Sequence, residues 1–208
     1  GANLPMYDEL YKSNIRHILV RHEQSAAHMA DGFGRVSRKP GVCFATSGPG
    51  ATNLLTGIAT AQADSAPMIA VTGQVPVNMI GRDAFQESDI IGMSNPCVKY
   101  AFQPRTPQEI PEAVKKGFYI AETGRPGPVL LDIPKDVQQN EAEITFPNEV
   151  RIPGYHPWTD VDITNIERSI DLLLSSEKPI ILAGGGTIIS SAFAELQSIA
   201  EMLMIPVV

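Results

Sequence analysis

Short apolar runs of strand length alternate with longer segments of helical periodicity along most of the chain. The strand-like runs are residues 15–21, 41–46, 68–72, 97–102, 129–133 and 180–183. The segments with apolar residues spaced as on one helix face are 23–38, 51–63, 107–123, 163–175 and 190–204. This alternation is typical of βαβ units, so the sequence predicts an α/β fold with a doubly wound, mostly parallel sheet flanked by helices.

Composition and charge narrow the possible functions. Of the 208 residues, 43% are hydrophobic, and none of the apolar runs approaches the ~20 residues that span a bilayer. We therefore expect no membrane partner. The net charge of −7 argues against a nucleic-acid ligand. Cys43 and Cys97 do not form a CxxC pair, which favours a reducing, cytoplasmic location. His22 and His28 are six residues apart rather than four, so no zinc-protease pair is predicted.

The pattern changes after the run that ends at Ile133. Residues 134–160 contain several prolines and polar residues without periodicity, which is typical of a linker. We therefore predict a first domain over residues 1–135, a linker over 136–160, and the beginning of a second α/β domain over 161–208. Because this last segment has fewer than 50 residues and the chain starts with Gly, we expect a truncated chain.

Glu23 lies where a predicted strand gives way to a predicted helix. Ala26, Ala27, Ala30 and Gly34 follow it at helical spacing, so a carboxyl group shares a helix face with small residues. One interpretation is an ordinary first-turn acid that the helix dipole stabilises. The other is a carboxyl group shielded from water that shares a proton with a ligand nitrogen.

Two polar loops follow predicted strands. Residues 45–53 (ATSGPGATN) and 73–87 (GQVPVNMIGRDAFQE) would lie at the carboxyl ends of parallel strands, where open α/β sheets bind ligands. Ordinary turn chemistry is the alternative for the first loop. For the second, the alternative is a solvated connection with Phe85 packed into the core.

Three further features are weak by themselves. Gly184, Gly185 and Gly186 form an incomplete dinucleotide fingerprint, because Ile189 stands where the last glycine belongs. The Arg125 segment is more often a turn than a ligand clamp. A lone lysine such as Lys135 is usually solvated.

Taken together, four segments resemble the catalytic subunit of acetohydroxyacid synthase (acetolactate synthase), a thiamine-diphosphate enzyme of branched-chain amino-acid biosynthesis. They are RHEQ at 21–24, TSGPGATN at 46–53, DAFQE at 83–87 and RPGPV at 125–129. The first two also occur in related thiamine-diphosphate decarboxylases and carboligases, whereas DAFQE points more narrowly to this synthase.

The resemblance implies a pyrimidine-binding domain over residues 1–135, lacking its first strand, and the beginning of a central FAD-associated domain. Glu23 would match the glutamate that hydrogen-bonds N1′ of the aminopyrimidine ring and so activates the cofactor. The implied activity is a transferase reaction. It decarboxylates pyruvate and joins the remaining unit to pyruvate or 2-ketobutyrate, giving 2-acetolactate or 2-aceto-2-hydroxybutyrate.

The site residues also follow from the resemblance. Glu23 and Gln86 are expected to be catalytic. Contacts to thiamine diphosphate are expected from Glu23, Thr46, Pro49, Asn53 and Gln86. Contacts to a structural FAD are expected from Arg125, Gly184, Gly185 and Gly186. The substrate channel is expected to be lined by Ala2, Pro76, Phe85 and Lys135.

In this family, Mg²⁺ and the diphosphate are held by a C-terminal domain through a Gly-Asp-Gly…Asn motif that these residues lack. The resemblance therefore implies no metal ligand in this chain, a homodimer or homotetramer of full-length subunits, and a small regulatory subunit as a further partner. A lone copy of the chain is expected to be inactive.

Two alternatives remain open. One is another FAD-containing carboligase, although glyoxylate carboligase lacks the glutamate that Glu23 would match. The other is a non-catalytic dimerisation module of the same fold.

Overall fold

The computed structural model describes residues 1–157 and 160–208, which belong to two compact units, Gly1–Pro157 and Trp158–Val208. The first unit contains a four-stranded parallel sheet in the order β1-β2-β4-β3. Its strands are β1 (Gly41–Ala45), β2 (Met68–Gln74), β3 (Tyr100–Phe102) and β4 (Pro128–Pro134).

Helices connect and cover these strands. The helices of the first unit are α1 (Leu4–Lys12), α2 (Glu23–Ser37), α3 (Pro49–Asn53), α4 (Leu55–Ala63), α5 (Ile90–Ser94), α6 (Glu109–Glu122) and α7 (Lys135–Gln139). Two short 3₁₀ turns, Val77–Met79 and Asn95–Cys97, lie in the connections.

Successive side chains of the central strands face two separate cores. Met68 and Ala70 of β2 belong to the core that α2 and α4 cover. Ile69 and Val71 belong to the core on the opposite face, which α6 covers. Since β2 and β4 are buried along their whole length, both faces of the sheet are covered. The predicted doubly wound α/β fold is confirmed.

The small-residue face of α2 packs against the rest of the first unit. A Cβ built on Gly57 of α4 would overlap the Ala27 side chain, and one built on Gly34 would overlap the Pro67 carbonyl. Close helix packing accounts for the small residues at these positions.

The structure differs from the prediction at residues 15–21, which form no strand. Ile15, Ile18 and Leu19 are exposed, and no described strand pairs with this segment. An apolar run becomes a strand only where a neighbouring strand satisfies its backbone groups.

Helices α1 and α7 were not predicted from the sequence. Residues 136–157, predicted to be a linker, lie in the first compact unit. Val137 of α7 is buried there, and Ile152 and Tyr155 pack against the same core.

The second unit contains α8 (Ile163–Ser175), α9 (Gly185–Ser190) and α10 (Phe193–Leu203). The helix predicted over residues 163–175 is confirmed. The predicted strand 180–183 is reduced to one parallel bridge between Ile181 and Val207.

Among the described residues, none of the helices has the length and apolar character needed to cross a membrane.

Candidate functional site

Most of the predicted site residues lie at one edge of the sheet. A short connection leads from the end of α2 into the start of β1, so the first residue of α2, Glu23, lies at the edge where the strands end. Thr46 follows β1, Pro76 follows β2 and Lys135 follows β4. This carboxyl edge is where ligands bind in open α/β sheets.

Glu23 and Asn53 contact each other. The Asn53 side-chain amide donates to Glu23 Oε2 at 3.0 Å. The His22 ring caps the same helix by accepting from the Gln24 backbone N–H at 3.1 Å. Glu23 is half-buried in this chain. Its carboxylate is therefore held in one orientation by a residue 30 positions away, which a helix-dipole role would not require.

Two glycines let the turn after β1 pass close to Glu23. A Cβ built on Gly50 would lie 2.7 Å from Thr46 Cγ2 and 3.4 Å from Glu23 Oε1. Gly48 has a φ of +58°, and a Cβ there would lie 2.6 Å from the Gln86 carbonyl oxygen. The missing side chains let Gly50 pack against Thr46 and Glu23 and let loop 81–87 approach the turn. Pro49 is exposed between the two glycines.

Loop 81–87 exposes the side chains of Phe85 and Gln86. The Phe85 side chain is 89% exposed, so packing into the core, one of the two interpretations from the sequence, is wrong. Gln86 is also exposed, and its backbone is left-handed with a φ of +58°. The loop therefore brings the Gln86 backbone against Gly48 while its side chain stays accessible.

The N-terminal residues also belong to this edge. The Ala2 backbone N–H donates to Thr46 Oγ1 at 3.2 Å. Ala2 is buried against Gly73 at the end of β2, where an added Cβ would lie 2.9 Å from the Ala2 Cβ. Pro76 and Lys135 are half-buried. Of the four predicted channel residues, Ala2 is thus in direct contact with a predicted cofactor residue.

A buried polar cluster beneath this edge was missed from the sequence. Asp132 of β4 is fully buried and accepts from Thr72 Oγ1 at 2.6 Å, Gln74 Nε2 at 2.9 Å and Gln103 Nε2 at 2.6 Å. Burial raises the pKa of Asp132 to about 6, although these hydrogen bonds oppose the rise. The signal in the sequence is an acid inside an otherwise apolar strand, PVLLDIP.

Arg125 lies at the opposite edge. It precedes β4, whereas the Glu23 site follows the strands, and seven strand residues span roughly 20 Å. Its guanidinium donates to Ser65 Oγ at 2.7 Å and to the Ala63 carbonyl at 3.1 Å, so it caps the end of α4. The structure therefore does not bring Arg125 to the other site residues of the first unit.

Gly184, Gly185 and Gly186 lie in the second unit at the beginning of α9, where Cβ atoms added to them would meet open space. Among the described residues, no cluster of three or more His, Cys, Asp or Glu side chains could hold a metal ion. Cys43 is buried in β1, and this burial raises its thiol pKa to about 12.

Comparison with known proteins gives consistent results. Residues 1–93 match the family described as thiamine pyrophosphate enzyme, N-terminal TPP binding domain, and residues 166–208 match thiamine pyrophosphate enzyme, central domain. The probable acetolactate synthase large subunit of Methanocaldococcus jannaschii is 57% identical over 210 residues, which cover 100% of this chain and 36% of that protein.

Two further relatives extend the comparison. The probable acetolactate synthase large subunit of Methanococcus aeolicus is 53% identical, with 100% of this chain and 35% of that protein covered. The acetolactate synthase large subunit of Corynebacterium glutamicum is 50% identical, with 100% of this chain and 33% of that protein covered. The chain thus spans about a third of the length of the curated relatives it matches.

Proposed function

The chain belongs to the thiamine pyrophosphate enzyme family, among the acetolactate synthase large subunits, and from this membership we propose that the protein carrying it is an acetolactate synthase. It decarboxylates pyruvate and joins the product to a second 2-ketoacid, giving 2-acetolactate or 2-aceto-2-hydroxybutyrate. The observation that carries the proposal is the Glu23 carboxylate, held by Asn53 beside the turn that contains Gly48 and Gly50, in a chain 57% identical to a probable acetolactate synthase large subunit.

The residues at this site fit an aminopyrimidine ring. Gly50 brings the backbone of the turn against Glu23 Oε1, and Asn53 fixes the other carboxylate oxygen. A ring nitrogen placed there can share a proton with Oε1. When bound, thiamine diphosphate supplies the carbon nucleophile that attacks the 2-ketoacid. The chain itself orients the ring, holds the proton at Glu23 and presents Gln86 and Phe85 toward the substrate.

The finer assignments complete the proposal. Thr46 and Pro49 border the same ring, while Ala2, Pro76, Phe85 and Lys135 line the way to it. Mg²⁺ and the diphosphate are held by residues outside this chain. FAD is bound in the second unit at Gly184, Gly185 and Gly186. The working enzyme is a cytoplasmic dimer or tetramer that accepts a small regulatory subunit.

The decisive test is Glu23→Gln in the complete protein. General acid–base contacts contribute about 10²–10⁴-fold, so acetolactate formation from pyruvate should fall at least about 100-fold while the unfolding midpoint stays within about 1 °C. Glu9→Gln is the matched control, since Glu9 is an exposed carboxylate that pairs with Lys12 at 2.8 Å. Unchanged turnover in Glu23→Gln would contradict the proposal.

The alternatives give different results in the same assay. A non-catalytic dimerisation module would form dimers but show no turnover in the wild-type protein. Another carboligase would turn over a different 2-ketoacid, such as glyoxylate, in preference to pyruvate.

A further inference from the structure

Loop 81–87 is folded around the side chain of its own last residue, Glu87. One carboxylate oxygen of Glu87 accepts from the Gly81 backbone N–H, and the other accepts from the Ala84 backbone N–H at 2.9 Å. These contacts, with a further one from the Arg82 N–H, lower the pKa of Glu87 because they stabilise its charged form. The carboxylate therefore closes the loop from inside.

The backbone of this loop needs such support. Three of its residues have a positive φ: Gly81 at 81°, Asp83 at 54° and Gln86 at 58°. For residues other than glycine this region is uncommon, and it persists where surrounding contacts impose it. Directly after the loop, the Gln74 side chain donates to the Ser88 carbonyl at 2.9 Å, which ties that end of the loop to β2.

The residue that this arrangement places is Gln86. Its backbone lies against Gly48, close enough that a Cβ on Gly48 would be 2.6 Å from the Gln86 carbonyl oxygen. Gly48 belongs to the turn that passes Glu23. A loop that loosened would move Gln86 away from this turn while leaving Glu23 and Asn53 where they are.

We propose that Glu87 is a positioning residue. Its carboxylate accepts hydrogen bonds from the Gly81 and Ala84 N–H groups and so fixes the backbone of residues 81–86. This holds Gln86 against Gly48 in the turn after β1. This proposal rests on the proposed function, which assigns Gln86 a catalytic role. Glu87 itself is placed by its contacts within the loop and touches no reacting atom.

The first test measures amide hydrogen exchange in the complete protein. Glu87→Gln should speed exchange at Gly81 and Ala84 by about tenfold or more, because the Gln amide nitrogen cannot accept from one N–H group, and its oxygen makes only a neutral hydrogen bond, roughly half as strong as a charge-assisted one, with the other. Glu109→Gln is the matched control. Glu109 likewise accepts from a backbone N–H in another loop, that of Arg105 at 2.9 Å, and its replacement should leave residues 81–86 unchanged.

Unchanged exchange at residues 81–86 in Glu87→Gln would overturn the proposal. If that variant fails to fold, Glu87→Asp takes its place. Asp keeps the charge but is one methylene shorter and cannot reach both N–H groups, so it should speed exchange at one of the two amides. Equal protection of both amides in Glu87→Asp would also overturn the proposal.

The second test asks whether Glu87 acts through Gln86. We expect Glu87→Gln to lower kcat about tenfold with little change in KM. The double variant Glu87→Gln/Gln86→Ala should be no slower than Gln86→Ala alone. If the kcat losses of the two single variants multiply in the double variant, Glu87 does not act through Gln86, and this part of the proposal is overturned. Normal turnover in Gln86→Ala would overturn it as well. The Glu23→Gln variant tests the proposed function separately. Amide hydrogen exchange reports on the structure of loop 81–87 even if the protein shows no synthase activity.

Discussion

The side-chain amide of Gln74 donates to Asp132 across the central strand pair β2–β4 at 2.9 Å, and the same nitrogen donates to the Ser88 carbonyl at 2.9 Å. A buried carboxylate is thereby connected to the start of the segment that follows loop 81–87. Gln74 Oε1 accepts from the Val75 N–H at 2.9 Å, so both ends of its amide are engaged. The buried polar cluster of Thr72, Gln74, Gln103 and Asp132 therefore stabilises the carboxyl edge of the sheet.

Asp132→Asn should change how stability depends on pH. Burial raises the pKa of Asp132 from the ordinary 3.8 to about 6. Between these values the folded chain holds a proton that the unfolded chain has released, so the free energy of unfolding falls as the pH rises. One pKa unit corresponds to about 1.4 kcal/mol. Between about pH 4 and pH 7, the free energy of unfolding of wild type should therefore fall by up to about 3 kcal/mol relative to that of Asp132→Asn.

Urea unfolding across this pH range measures the difference. Asp171→Asn, which changes an exposed aspartate in α8, serves as the control and should keep the wild-type slope. Asn keeps an oxygen toward the Gln74 and Gln103 amides only by turning its Nδ2 donor toward Thr72 Oγ1, so the substitution also changes stability at every pH. The test is therefore how the difference in free energy of unfolding between wild type and Asp132→Asn changes with pH. A difference that stays constant over this range would rule out the raised pKa of Asp132.

Asn53→Ala should reduce turnover by about tenfold and should also lower the free energy of unfolding. The variant removes the donor that holds Glu23 Oε2, so the carboxylate loses its fixed orientation. A hydrogen bond to a charged group contributes about 1.5–3 kcal/mol, which sets the expected scale. Steady-state kinetics with pyruvate in the complete protein measure the effect.

Asn165→Ala is the matched control for this prediction. Asn165 also donates its side-chain amide to a carboxylate, that of Asp162 at 2.6 Å, but it lies in the second unit. Equal loss of turnover in both variants would mean that the Asn53 effect is not specific to Glu23.

The fold was predictable from the sequence where strands are buried on both faces. Strands β2 and β4 are buried along their whole length and mostly apolar, with Thr72, Gln74 and Asp132 as their polar residues, and their predicted positions fall within the observed bounds. Residues 15–21 (IRHILVR) are also rich in Ile, Leu and Val although they carry three basic residues, but among the described residues no strand pairs with them. Composition indicates whether a segment can be buried, whereas a backbone partner decides whether it forms a strand.

The candidate site was predictable in part for a similar reason. The turn at 46–50 and the acid at Glu23 are local patterns, and their shared edge follows from parallel strand direction. The Asn53–Glu23 hydrogen bond and the three donors around Asp132 join residues from separate elements. No spacing along the chain indicates such contacts.

Gly57→Ala should destabilise the first unit, whereas Gly32→Ala should not. An added Cβ at Gly57 overlaps Ala27 where α4 crosses α2, and overpacking of this kind costs about 1–3 kcal/mol. Gly32 lies within α2 with nothing near the added atom, so Ala should stabilise the helix by about 0.5–1 kcal/mol. Denaturant unfolding compares the two. Equal effects would show that α2 and α4 are not packed this closely.

Arg125→Ala should lower the free energy of unfolding by about 1 kcal/mol, because the end of α4 loses a charged donor to Ser65 Oγ and the Ala63 carbonyl. Arg125→Lys should recover part of this loss, since an ammonium group can reach one acceptor but cannot reproduce the guanidinium fork. Measuring unfolding with and without added FAD tests whether Arg125 also contacts this cofactor. A loss that appeared only with FAD bound would mean that Arg125 stabilises the fold through the cofactor, whereas an equal loss in both forms is expected from the hydrogen bonds to α4.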